Sequence, residues 1–156
     1  MGFYQLKKSQ QIPATISEVW DFVSNPVNLK EITPKYMGFD ILTKDLPAQI
    51  YQGMIIQYHV KPVLGIKTLW VTEITQVSHQ KYFVDEQRIG PYKIWHHQHL
   101  LKENSEGVLM EDIISYQPPF GLIGSIANKL FIEKQLTAVF DYRTVAVEKI
   151  FGKPSL

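Results

Sequence analysis

The chain contains no cysteine, which excludes disulfides, thiolate metal sites and thiol nucleophiles and is compatible with a reducing compartment. It has no apolar run near the roughly 18 residues that a membrane-spanning helix needs. Its opening residues, MGFYQLKKSQQIP, lack the apolar core of a signal peptide. Gly2 follows Met1, but Leu6 stands where the myristoylation pattern requires Ser or Thr. Neither sign of charge dominates: 16 basic and 15 acidic residues leave a net charge of +1. They are interleaved rather than run together, so no polyanion-binding face is expected. There is no nucleophile elbow, no GxxxxGK phosphate loop, no HExxH and no dinucleotide-binding glycine fingerprint. These absences point to a cytoplasmic protein with no nucleic-acid partner, no membrane insertion and no cofactor. They argue against an enzyme without excluding one.

What is present is an ordinary globular composition: 156 residues, 45% apolar and 20% charged, enough for one domain (1–156) with a buried core. The last stretch, 120–151, organises the rest. Leu136, Val139, Phe140, Val147 and Ile150 recur at three- and four-residue steps, which gives a helix an apolar stripe about 100° wide. No proline falls between Gly121 and Lys153, and Gly152 followed by Pro154 supplies the stop. A helix of roughly 26 residues is about 40 Å long and must lie across a sheet to bury that stripe. Leu130, Phe131 and Ile132 are consecutive, so the first two turns are expected to be offset from the remainder. Arg143 falls on the apolar face. It either snorkels to a carboxylate of the sheet or presents a cation to a ligand cavity.

Before that helix the chain reads as a short edge strand over 2–11, broken by Pro13, then a helix over 17–23 capped by Thr15 or Ser17. Asn25-Pro26 starts a second short helix over 27–32, ended by Pro34. Strands are expected over 39–42, 54–60, 67–77, 81–88, 92–102 and 108–116, separated by polar or glycine-containing turns. Strands in succession without intervening helices make an antiparallel meander. The fold class is therefore α+β, with about seven strands, two short helices after the first strand and a long terminal helix.

Several segments carry a family likeness: Ile12-Pro13-Ala14 leading into Glu18-Val19-Trp20-Asp21-Phe22; Gly90-Pro91-Tyr92 leading into Trp95, His97 and His99; Asp112 and Tyr116 ahead of Pro118; and Phe140-Asp141-Tyr142-Arg143. With this element order the chain resembles the START and polyketide-cyclase (SRPBCC) superfamily, in particular its small bacterial ligand-binding branch. The resemblance covers essentially the whole chain. It implies a helix-grip fold, a curved antiparallel sheet wrapped around the long C-terminal helix with an internal cavity. The superfamily mixes carriers, receptors, cyclases and hydrolase-like members, so it does not itself imply one chemistry.

The strand containing Trp95-His96-His97-Gln98-His99 is the richest in chemistry. Alternation puts Trp95, His97, His99 and Leu101 on one face. A hairpin turning near Asn104 and Ser105 sets Leu101 against Val108, His97 against Asp112 and Trp95 against Ile114. His97, His99 and Asp112 then form either hydrogen bonds within the sheet, the polar fixtures of a pocket, an acid/base pair of His97 with Asp112, or a two-histidine, one-carboxylate set of the kind that suits zinc or non-haem iron. No metal is assigned.

Tyr58, Trp70, Trp95, Tyr116 and Phe140 are spread over different expected strands and the terminal helix, where they either pack a core or line a shared interior. Trp95, His97 and Tyr116 are amphipathic groups where a dry core would ask for Leu or Val. The leading reading is a carrier or binding module for a small hydrophobic ligand (a lipid, a polyketide-like or an aromatic compound) whose head meets His97, His99 and Arg143. The alternatives are a cyclase or dehydratase using His97 with Asp112, and a regulatory interaction protein with a vestigial cavity. Exposed edge strands leave monomer and homodimer both open.

Overall fold

A computed structural model describes residues 2–62 and 65–154. The chain opens with β1 (Tyr4–Ile12) and α1 (Ile16–Val23), followed by two 3₁₀ turns, Pro26–Lys30 and Lys35–Met37. Six strands follow: β2 (Asp40–Ile41), β3 (Ile55–Val60), β4 (Thr68–Ser78), β5 (Tyr82–Ile89), β6 (Ile94–Asn104) and β7 (Gly107–Gln117). A closing helical run comprises α2 (Gly121–Ala127), a π turn (Asn128–Ile132) and α3 (Glu133–Phe151). The seven strands form one antiparallel sheet in the order β1-β7-β6-β5-β4-β3-β2. The sheet curves, and α3 crosses its concave side. This is the α+β architecture expected from the sequence. Among the described residues, no helix is long and apolar enough to cross a membrane.

Local chemistry explains the first elements. Thr15 and Glu18 form a reciprocal capping box at the start of α1: the Glu18 amide donates to Thr15 Oγ1 at 3.3 Å and the Thr15 amide donates to Glu18 Oε2 at 2.9 Å. Thr15, not Ser17, is the cap. Asn25 Oδ1 accepts from the Val27 amide at 3.1 Å, and Pro26 fits the first position of the turn that follows. That turn is 3₁₀, ends at Lys30 instead of residue 32, and is joined by the unforeseen second one.

The terminal helix departs from the expected single smooth helix. Three consecutive apolar residues cannot share one face of a 3.6-residue helix. The π turn accommodates them by burying Ile132, half-burying Phe131 and leaving Leu130 exposed. Past it, Leu136, Phe140, Arg143 and Val147 form the buried stripe. The three apolar members each contribute about 1.5–3 kcal/mol by leaving water. Ile150, expected in that stripe, is exposed. The chain end is held instead by Phe151, whose ring meets Phe22 edge-on at 5.5 Å.

The β6–β7 register is shifted by two residues from the expected one. Asn104 pairs with Gly107 across a turn at Ser105 and Glu106, so Leu101 faces Met110, His99 faces Asp112, His97 faces Ile114 and Trp95 faces Tyr116. Asn104 ends the strand because its Oδ1 accepts from the Glu106 amide at 2.9 Å, an Asx turn. Gly107 takes a φ of +116°, and a Cβ there would collide with the Ile12 carbonyl. A two-residue shift preserves the face of every side chain. Asp112 therefore still shares a face with both histidines.

Candidate functional site

Alternation along four adjacent strands builds the concave wall. Ile56, Tyr58 and Val60 of β3, Trp70, Thr72 and Ile74 of β4, Phe83 and Asp85 of β5, and Trp95, His97 and His99 of β6 face a common cavity of about 180 Å³. Leu136, Val139, Phe140 and Arg143 of α3, with residues from Phe22 to Thr33, close it over. Most of this wall is apolar or aromatic. Its neutral polar groups are partly paired with one another: Trp70 Nε1 donates to Thr72 Oγ1 at 3.1 Å, and the Tyr58 hydroxyl lies 3.2 Å from the same oxygen. Burial, and then the negative charge of Asp85, push the Tyr58 phenol up, so it stays neutral.

Among the described lining residues, the side chains of charged type are Asp85, His97, His99 and Arg143. They are gathered on one side. Two carboxylates clamp two adjacent imidazoles whose planes are tilted by 38°. In front, Asp85 Oδ2 lies 2.7 Å from His99 Nε2 and 3.3 Å from His97 Nδ1. Behind, Asp112 Oδ1 lies 2.9 Å from His97 Nε2 and 3.2 Å from His99 Nδ1. The rings are 3.7 Å apart, and Phe83 stacks on the outer face of His99 at 4.0 Å. Arg143 closes the group, with Nη1 3.4 Å from Asp112 Oδ1 and Nη2 3.4 Å from His99 Nδ1. Arg143 is 7% exposed and its Nε has no hydrogen-bond partner.

The electrostatics follow from this clamp. Burial opposes ionisation of Asp112, but the Arg143 guanidinium and then the two imidazoles outweigh it and hold the carboxyl well below the usual range. Asp85 is likewise driven down against burial by His97 and His99. Burial opposes a charge on His97, and the carboxylates on either side more than reverse that, raising its pKa. With His97 protonated, two negative and two positive charges balance.

Of the residues singled out from sequence, Tyr58, Trp70, Trp95, His97, His99, Phe140 and Arg143 line the cavity. Asp112 and Tyr116 lie one layer back: Asp112 behind the imidazoles, Tyr116 against Tyr92 and Trp95 at ring distances of 5.8 and 6.3 Å. The front carboxylate, Asp85, was not singled out, although its alternation with Phe83 on the expected strand 81–88 carried the signal. It pairs directly with His97 across β5 and β6. Tyr92 and Thr72 also belong to the wall.

No protein-family model matches the chain, and no curated protein does. Solved structures do. Protein CV1439 from Chromobacterium violaceum superposes with a TM-score of 0.70 at 12% identity, over 95% of this chain and 97% of that one. Ara h 8.0201 gives a TM-score of 0.61 at 10% identity, over 95% and 99%. The chain has the helix-grip fold. It is also similar to a part of the nucleoside-diphosphate sugar epimerase from Corynebacterium glutamicum, with a TM-score of 0.64 at 20% identity over 92% of this chain and 28% of that enzyme. Identities this low speak for the fold alone.

Proposed function

We infer that the protein binds a small, mainly apolar molecule whose oxygen-bearing head lies against Arg143 and His99. One observation carries this reading: an apolar, aromatic cavity has its charged groups collected on a single side, where a buried guanidinium keeps an unpartnered N–H. A buried donor without an acceptor costs about 1–3 kcal/mol, and a carbonyl, phenol or carboxylate oxygen on a ligand would satisfy it. This is the composition of a small-molecule site, with apolar walls giving affinity and a few convergent polar groups fixing orientation.

The volume narrows the class. A cavity of about 150 Å³ accommodates benzene, so one of about 180 Å³ suits a single ring with a short substituent or an equivalent short chain. The helix-grip neighbours are compatible with a binding role.

Native mass spectrometry of freshly purified protein, followed by denaturing extraction, tests the reading. A stoichiometric organic adduct, lost in a folded Arg143→Met variant, is the expected result. An unliganded mass together with no saturable binding of phenylacetate, a ring bearing a short carboxylate, would overturn it.

A further inference from the structure

The front of the clamp has the donors of a metal site. His97 Nδ1, His99 Nε2 and a carboxylate oxygen of Asp85 all lie within 4.8 Å of one another. Two imidazoles and one carboxylate on a cavity wall are the donor set of open zinc and ferrous centres, in which three protein ligands leave a position for an exogenous group. At metal–ligand distances near 2.0–2.1 Å, tetrahedral donors stand about 3.3 Å apart. The 3.3 Å between His97 Nδ1 and Asp85 Oδ2 has that spacing. The 2.7 Å contact between His99 Nε2 and Asp85 is a hydrogen bond that must open by about half an ångström for the metal to enter.

The rear of the clamp supplies what such donors require. A metal-bound histidine gives its other ring N–H to a carboxylate or carbonyl, which fixes the tautomer and raises the basicity of the donor nitrogen. Here one carboxylate oxygen faces both rings, at 2.9 Å from His97 Nε2 and 3.2 Å from His99 Nδ1; for His99 Nδ1 to donate to it, Arg143 Nη2, now 3.4 Å from that nitrogen, turns away. Asp112 is in turn faced by Arg143 at 3.4 Å. Stacking of Phe83 on His99 restrains the second ring. Each histidine thus turns one nitrogen toward Asp85 and the other toward Asp112, and the cavity-side nitrogens become metal donors once their contacts with Asp85 open.

We propose that Asp85, His97 and His99 bind one divalent first-row transition ion, with Asp112 orienting both imidazoles from behind. The open position faces the cavity. With neutral imidazoles, the ion adds two positive charges to Asp85, Asp112 and Arg143, leaving the cluster at a net +1, which an anionic oxygen would neutralise. That last step rests on the cavity being a ligand site and narrows the head to a carboxylate, enolate or phenolate; metal binding itself does not depend on it.

The test uses zinc alone, titrated calorimetrically into the full chain after chelator treatment and dialysis, with metal content counted by mass spectrometry. One ion per chain is expected, weakened at least 100-fold in a His97→Gln, His99→Gln double variant. Asp112→Asn weakens it about 10- to 100-fold, and His96→Gln, on the opposite face, leaves it unchanged. Circular dichroism checks each fold. Absence of saturable one-to-one binding in the wild type, or unchanged affinity in the folded double variant, overturns the proposal. Should the double variant not fold, cobalt(II) in the wild type decides: strong visible bands of a four-coordinate site support the assignment, and the weak absorption of a six-coordinate surface ion refutes it. Because no organic probe is present, failure here leaves the ligand reading standing. Failure of phenylacetate binding leaves the zinc result intact.

Discussion

His97 Nε2 lies 2.9 Å from Asp112 Oδ1, although the two residues are diagonal neighbours and not paired across β6 and β7. The residue directly opposite Asp112 is His99. This diagonal reach sets one carboxylate beside both imidazoles, and it makes Asp112 the carboxylate that His97 and Arg143 share.

Removing it should therefore be costly. Asp112→Ala leaves Arg143 buried without its carboxylate, and breaking such a pair costs about 3–5 kcal/mol. Urea unfolding should show that loss. Adding Arg143→Met should recover part of it, with a coupling of about 0.5–3 kcal/mol in the double-mutant cycle. Strict additivity would mean that the two groups do not interact.

Stability of the metal-free protein should fall on both sides of mildly acidic pH. Asp85 and Asp112 have folded pKa values below their unfolded value near 3.9. Their contribution is present above that value and is lost as pH falls through the folded ones. His97 is raised above its unfolded value near 6.5. Its contribution is complete below that value and is lost as pH rises through the folded one. The groups facing His97 are Asp85, Asp112 and His99, with Arg143 beyond. The urea midpoint should be highest at about pH 5–6.5, between the unfolded reference values; Asp112→Asn should flatten the acid limb and His97→Gln the alkaline limb.

The β6–β7 turn should tolerate no side chain at residue 107. Gly107 combines positive φ with close approach to the Ile12 carbonyl, so Gly107→Ala should cost about 1–3 kcal/mol through strain and overpacking. A melting temperature equal to that of the wild type would show that the turn relaxes freely.

Much of this fold was legible in the chain. The α3 stripe, the capping signal at Thr15 and the alternation of Trp95, His97 and His99 are short-range periodicities, and each reads directly from residue spacing. The π turn was visible only as the conflict among Leu130, Phe131 and Ile132. Register depends on which residue turns first: one residue of error at Asn104 moved every β6–β7 pair by two while sparing the faces. Alternation with Phe83 puts Asp85 on the inner face, but its role beside His97 arises from β5 pairing with β6, a long-range relationship that alternation alone does not report. The layering of Asp112 and Tyr116 behind the wall likewise depends on how the sheet curves.

The most direct test of the cavity as a ligand site is a titration of phenylacetate followed by tryptophan fluorescence, since Trp70 and Trp95 are both in the wall. Wild-type protein, Arg143→Met and Val139→Trp, which fills the cavity from α3, are compared with ethylbenzene as the headless control. The expected result is saturable one-to-one binding in the wild type, abolished in Val139→Trp. Loss of a charge-assisted hydrogen bond, about 1.5–3 kcal/mol, should weaken phenylacetate at least roughly tenfold in Arg143→Met while ethylbenzene is unaffected. Equal phenylacetate affinity in the wild type and in a folded Val139→Trp variant would contradict the assignment, because binding would then lie outside the cavity.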